Sequence, residues 1–238
     1  MTPLPLSPGT VAVPTTDIGR FTQFTVSLAC TAMPPESFLS VRSSVSVVEN
    51  LNGVIRDLRD IDRWVWIQGD DHVWRGNELI KMLEIMEEHE LDILVPLVCK
   101  RNPPWDLVIY HDAGERDGYP AFRTWTYDEL PDDGLPFEVY AAGSAGMLVR
   151  REVLDALGEP WFVSSDGRVL NEDVLFCLRV KEKGYKVWAT TEVQIGHIGI
   201  YRVFPAVKDD RWGSMVDFTS AGENYQQVWF PGGPRAFA

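Results

Sequence analysis

The chain is poor in cysteine and in basic residues, and it lacks any long apolar run. Its three cysteines, Cys30, Cys99 and Cys177, each sit in a mostly apolar stretch and none forms a Cys-x-x-Cys pair. That pattern reads as buried free thiols in a reducing compartment and excludes a zinc knuckle. Lys and Arg number 22 against 35 Asp and Glu, giving a net charge of −13 and a pI near 4.7. A general nucleic-acid binder needs a dense basic footprint, which is missing here; only a local basic strip is compatible with this balance. No segment approaches the ~20 apolar residues that cross a bilayer, and the N-terminus lacks the basic-then-apolar pattern of a signal peptide. A cytoplasmic protein without a membrane span is expected.

What is present is an ordinary globular composition, 45% hydrophobic and 24% charged over 238 residues, enough for one large α/β domain with a substantial core. The stretch that organises it is Trp64-Val65-Trp66-Ile67-Gln68-Gly69-Asp70-Asp71-His72. Its apolar first half reads as a strand buried on both faces. Two adjacent carboxylates follow, and in a half-buried position they repel each other unless a cation or donors neutralise them, so a divalent metal is an economical explanation. Ligands of open α/β sheets bind beyond the carboxyl ends of the strands, where this pair falls. A turn plus a helix cap ahead of Asn77-Glu78 accounts for the same letters.

Residues 1–10 carry prolines and read as a loose lead-in. Val11-Ala12-Val13-Pro14 is a first strand, and Pro14, Thr15, Asp17 and Arg20 at its end are candidate nucleotide contacts. Phe24–Met33 is a further apolar element. Ser43–Val48 alternates as a strand does, then Glu49–Gly53 forms a turn in which Asn50 and Asn52 offer amides to a base or ribose or satisfy their own backbone, and Val54–Arg59 is helical. Glu78–Glu90 is amphipathic with a solvated acidic face. Asp92–Cys99 is the next buried strand, so strand, helix and strand succeed each other as in a right-handed crossover. Lys100 and Arg101 bring cations to that strand's end, to meet a diphosphate or offset the acidic surface.

The aromatics Tyr110, Tyr119, Phe122, Trp125 and Tyr127 divide between core and sugar stacking. Gly143 and Ser144, in the small-residue run Val139–Val149, let a ligand or a packed strand approach closely. Arg150-Arg151-Glu152 opens a short helix. Asn171 caps another, whose first turn holds Glu172 and Asp173. His197 follows the strand Lys186–Ile195 between Gly196 and Gly199, accessible as a metal ligand or serving structurally.

In this order the pieces resemble the GT-A fold glycosyltransferases, nearest to the family-2-like members common in bacteria and phages. The likeness is carried by Asp70-Asp71, Gly143-Ser144-Ala145-Gly146-Met147-Leu148 with Arg150-Arg151, Asn171-Glu172-Asp173, Gly184-Tyr185-Lys186-Val187 and Gly196-His197. It implies a single-domain GT-A architecture over residues 11–204, a Rossmann-like three-layer sandwich with a mostly parallel central sheet, and a C-terminal tail, 205–238, packing on it.

The resemblance further implies a sugar transferred from a nucleotide-diphosphate donor, UDP-sugar by family habit, to the hydroxyl of a glycan, protein or modified base. Mn2+ or Mg2+ would neutralise the diphosphate, with Asp71 and His197 as ligands and Asp70 near the ribose or the metal's waters. Asp173 matches the base position of inverting members, and Glu172 would face the acceptor beside it. The chain departs from the family's D-x-D pattern at Gly69, which stands where the first Asp is expected; the alternative register Asp70-Asp71-His72 makes His72 a candidate ligand. A phage origin would put the protein in the host cytoplasm.

Two rivals remain. A sugar-phosphate nucleotidyltransferase needs a Gly-rich loop after the first strand, and Pro14–Arg20 has one Gly. A binding module that kept the fold without turnover fits Gly69. In the tail, Trp212, Tyr225, Trp229 and Phe230 could form a lid or an oligomer contact.

Overall fold

The computed structural model describes residues 6–15, 22–101, 105–116, 119–164, 171–199, 201–218 and 226–231. The chain opens with β1 (Thr10–Thr15), α1 (Thr22–Ala29), β2 (Phe38–Ser43), α2 (Val47–Arg56), β3 (Trp64–Ile67), the short β4 (His72–Val73), α3 (Glu78–Glu88) and β5 (Ile93–Val98). There follow β6 (Ile109–Arg116), β7 (Tyr119–Thr124), β8 (Phe137–Val139), β9 (Ala141–Ala142), β10 (Met147–Arg150), α4 (Arg151–Leu157), α5 (Glu172–Glu182) and β11 (Val187–His197). β12 (Tyr201–Lys208), β13 (Arg211–Phe218) and β14 (Gln226–Pro231) close it.

The main sheet runs β2-β1-β3-β10-β5-β11-β4, with β8 also paired to β11. β2, β1, β3, β5 and β11 are mutually parallel; β10, β4 and β8 run against them. This is the mostly parallel α/β sheet expected from the sequence. Alternate residues of each strand enter two separate cores. Ala12, Val65, Ile67, Ile93, Val95 and Val149 meet α2, α4 and α5 on one face. Val11, Val13, Trp64, Trp66, Leu94 and Leu148 meet Phe24 of α1 and Leu79, Met82, Leu83 and Met86 of α3 on the other. Full burial of side chains such as these stabilises by roughly 1.5–3 kcal/mol each. In β11 the faces switch: Val187 and Ala189 join the first core while Val193 and Ile195 join the second. A shift in the pairing of β11 with β5 between Ala189 and Gln194 produces this change of face.

Several expectations are corrected. β3, α3 and β5 do succeed each other, but β3 and β5 are not neighbours: β10 lies between them, antiparallel to both, with Leu148 opposite Trp66 on one side and Leu94 on the other. Gly146, at φ +72°, turns the chain into β10. Ser43–Val48 is not a strand. Ser46 caps α2 by accepting from the Glu49 amide at 3.2 Å, and the helix begins at Val47, seven residues before the Val54 start read from the sequence. The apolar spacing Val48, Leu51, Val54, Ile55 fits a helical face and packs on the core.

Of the lead-in, residues 6–9 are tied down: the Trp64 indole donates to the Ser7 carbonyl at 2.9 Å, and the Arg63 amide to Pro8 at 2.9 Å. Residues 1–5 lie outside the described residues. The three cysteines are free, but only Cys177 is buried; Cys30 is exposed and Cys99 intermediate. Tyr110, Phe122 and Trp125 pack against the core, whereas Tyr127 is exposed. β12, β13 and β14 form an antiparallel meander of their own, which carries Trp212, Trp229 and Phe230; Tyr225 lies outside the described residues. No helix among the described residues is long and apolar enough to cross a membrane.

Candidate metal and nucleotide site

The carboxyl ends of β1, β3 and β5 open into a cavity of about 330 Å3. Pro14 and Thr15 come from the end of β1, Gly69–His72 from the turn after β3, Arg101 from beyond β5, Gly143 and Ser144 from the turn before β10, Asp173 from α5 and His197 from the end of β11. α2 contributes Val47, Asn50 and Leu51.

Within it, Asp71, His72 and His197 present ligand atoms all within 4.8 Å of one another. The pairing of β4 with β11 sets His72 opposite His197, their rings stacked at 4.3 Å, and the Ile198 amide donates to the Asp71 carbonyl at 2.8 Å. Nδ1 of His197 lies 3.0 Å from the Cys99 carbonyl. Only an N–H can face that oxygen, so in the neutral ring Nε2 presents its lone pair toward Asp71 Oδ2, 3.2 Å away. Two acceptors at that distance need a cation or a proton between them. His72 is buried with neither ring nitrogen hydrogen-bonded, although Nδ1 comes within 2.8 Å of Asp71 Oδ1. A buried imidazole whose close polar neighbour is a carboxylate, beside a second oriented imidazole, fits a divalent ion. Burial opposes ionisation of Asp71, but the hydrogen bonds and charge that His197 and His72 supply when the imidazoles carry the proton outweigh it and hold the carboxyl well below the usual range.

The two registers weighed for the carboxylate motif are therefore not exclusive, since Asp71 and His72 both face His197. Gly69 has a spatial reason. A Cβ there would stand 2.7 Å from His72 Nδ1 and 3.0 Å from Asp71 Oδ1, so an aspartate at this position would displace the imidazole. Gly69→Ala is expected to push His72 off Asp71 and lower the affinity for any divalent ion the cluster holds by roughly 10–100-fold, the range for disturbing a ligand's supports; an unchanged Mn2+ titration would remove that role from Gly69.

Asp70 turns the other way and accepts from the Thr15 hydroxyl. Asp173 sits across the cavity, its Oδ1 accepting from the Val174 amide at 2.8 Å, its Oδ2 at 3.5 Å from where a Gly143 Cβ would lie. Burial, then the charge of Glu172, pushes its carboxyl up to about 6 against backbone hydrogen bonds that pull it down. Asn171 occupies the cap position of α5 without a side-chain capping bond.

Glu172 does not line the cavity, and Asn52 is a correction. Asn52 is buried on α2, its Nδ2 donating to the Phe162 carbonyl at 2.9 Å and its Oδ1 accepting from the Trp161 and Phe162 amides at 3.0 Å each. That structural role uses both acceptor lone pairs and one of the two N–H donors of a buried amide. Asn50, two residues earlier on α2, lines the cavity instead and ties α2 to β1 through the Thr15 carbonyl at 2.6 Å. Asp17 and Arg20 lie outside the described residues. Val47 and Leu51 carry no polar group that marks a ligand contact; their helical spacing with Asn50 is the available signal.

No family model matches the chain, and no curated protein matches its sequence. Solved structures do. A viral protein from STIV superposes with a TM-score of 0.54 at 13% identity, over 87% of this chain and 88% of that one. GalNAc-T7, solved with UDP, GalNAc and Mn2+, gives 0.59 at 11% identity, over 81% and 44%. S. aureus TarS gives 0.52 at 14%, over 80% and 36%. The chain has a GT-A-like fold. It spans less than half the length of GalNAc-T7 and of TarS. In this GT-A-like fold the cavity lies where such sheets receive ligands, beyond the carboxyl ends of parallel strands around an inserted antiparallel one.

Proposed function

We propose that the chain is a metal-dependent glycosyltransferase that takes a sugar from a nucleoside-diphosphate donor, with UDP-sugar favoured, and passes it to an acceptor hydroxyl. The observation that carries this reading is the convergence of Asp71, His72 and His197 in one cavity with Asp173. GalNAc-T7, a structural neighbour, was solved with UDP, GalNAc and Mn2+, which supports the choice of donor and ion. A divalent ion held by Asp71, His72 and His197 would neutralise the diphosphate and stabilise it as it departs. Mg2+ prefers oxygen ligands, so two imidazoles beside one carboxylate favour Mn2+.

The chain's own groups take the remaining roles. Arg101 is the cation for phosphate oxygens, the apolar edge of α2 at Val47 and Leu51 is a surface for the base, and Asp70 with Thr15 faces the ribose side. Asp173 is the general base: a carboxyl of pKa about 6 is ionised at neutral pH yet more basic than an exposed aspartate. A base acting directly on the acceptor hydroxyl implies a single displacement with inversion at the anomeric carbon. Titration of the protein with UDP by calorimetry, with Mn2+ and then with EDTA, tests donor and ion together. Binding that needs Mn2+ is expected; equal affinity in EDTA would remove the metal from the reading. UDP-sugar turnover, measured as donor hydrolysis or transfer, separates an enzyme from a module that only binds.

A further inference from the structure

We propose that Arg101 is a resident counter-cation whose guanidinium holds the place of a divalent ion at Asp71 and His197, and whose release couples ion binding to the arrival of a diphosphate. The diphosphate half of this rests on the nucleotide-sugar reading above. Arg101 Nη2 donates to Asp71 Oδ2, and Arg101 Nε lies 3.4 Å from His197 Nε2. Both residues belong to the candidate metal cluster. One side chain thus bridges a carboxylate and an imidazole lone pair, the pair of acceptors that need a positive partner. The backbone is set for it: Gly199 passes so close that a Cβ would stand 3.3 Å from the Arg101 carbonyl, which keeps Arg101 beside the end of β11. Arg101 is also the one Lys or Arg lining the cavity among the described residues.

While the guanidinium holds Asp71 Oδ2 and faces the His197 Nε2 lone pair, an ion bound to those two atoms must displace it. A guanidinium that withdraws into water exchanges a charge-assisted pair for hydration alone. Its side chain is 45% exposed, so water already reaches it, and a diphosphate in the same cavity offers it a bidentate partner. Ion and diphosphate therefore favour the same rearrangement, and reciprocity requires each to raise the affinity of the other. A chain without this cation would bind the ion alone more readily.

The test is a Mn2+ titration of the EDTA-stripped full chain, followed by loss of the free-ion EPR signal, with and without UDP. Wild type should bind Mn2+ weakly alone and roughly 10-fold or more tightly with UDP, within the usual span of coupling between sites. Arg101→Met should bind Mn2+ alone about 10-fold more tightly than wild type and depend less on UDP. Arg101→Gln, with the same expectation, serves if the Met variant does not fold. Mn2+ affinity equal to or below wild type in a folded variant overturns the proposal. Asp71→Ala in the same titration reports on the site itself: undiminished Mn2+ binding there would sink the metal reading, an outcome distinct from failure of the Arg101 role.

Discussion

Asp71→Ala is expected to abolish Mn2+-dependent binding of UDP, lowering affinity by at least about 10²-fold, because even the outer supports of a metal ligand carry 10–100-fold. Asp71 touches everything in the cluster: His72 Nδ1 at 2.8 Å, His197 Nε2 at 3.2 Å and the Arg101 guanidinium. The change also has a stability signature. The native Asp71 carboxyl is held well below its usual value, so its contribution is fully present above the unfolded pKa of about 3.9 and is lost as pH falls through that range. The alanine variant should accordingly be less stable than wild type at pH 7, with the gap narrowing toward pH 3. Asp71→Asn keeps the shape and isolates the charge. Calorimetric titration with UDP and Mn2+, alongside urea unfolding at both pH values, checks the two halves. If either variant retains Mn2+-dependent UDP binding, the ion is held elsewhere.

What the sequence discloses about this site follows from how local each signal is. The strand Trp64–Ile67, the strand Ile93–Val98 and the helix Glu78–Glu88 each carry their hydrophobic period within a few turns or residues, and the structure has them. Asp71, Asp173 and His197 each lie at the end of such an element, which is why chain order alone pointed to them and why the cavity gathers them.

The misreadings fall where partners distant in sequence decide. Ser43–Val48 satisfies a two-residue period, but Ser46 capping α2 and Leu51, Val54 and Ile55 reaching the core select the helix. Asn52 looked available to a ligand because nothing local reveals that the backbone at Trp161 and Phe162 will meet it. β10 inserts between β3 and β5 through pairing across about eighty residues, and no periodicity encodes that. The joint use of Asp71 and His72 depends on β4 pairing with β11, and on the space that Gly69 leaves. Read as spacing alone, Gly69 was a missing aspartate; read in three dimensions, it makes room for an imidazole.

Asp173→Asn is expected to cut transfer by roughly 10²–10⁴ while leaving UDP affinity near wild type, since it keeps the shape but cannot accept the acceptor's proton. The bond from the Val174 amide to Oδ1 survives in asparagine, so helix capping alone predicts no change in turnover. Stability separates the roles further. Burial and Glu172 raise the native Asp173 carboxyl to about 6 from about 3.9 unfolded. The native state therefore binds this proton more tightly, an advantage fully present below the unfolded value and lost as pH rises through the native one. Above pH 6 the ionised carboxylate costs up to about 3 kcal/mol relative to the protonated form, on the order of two pKa intervals. Asparagine has no charge to bury, so the variant should be more stable than wild type at pH 7.5 and comparable at pH 4. A site that sacrifices stability for chemistry shows this combination of a firmer fold and a slower reaction. In wild type the transfer rate should rise as pH increases through about 6, because only the ionised carboxylate accepts a proton. Single-turnover transfer with the product anomer read by NMR, together with urea unfolding at both pH values, measures all of this. Wild-type rates in the Asn variant would return Asp173 to helix capping.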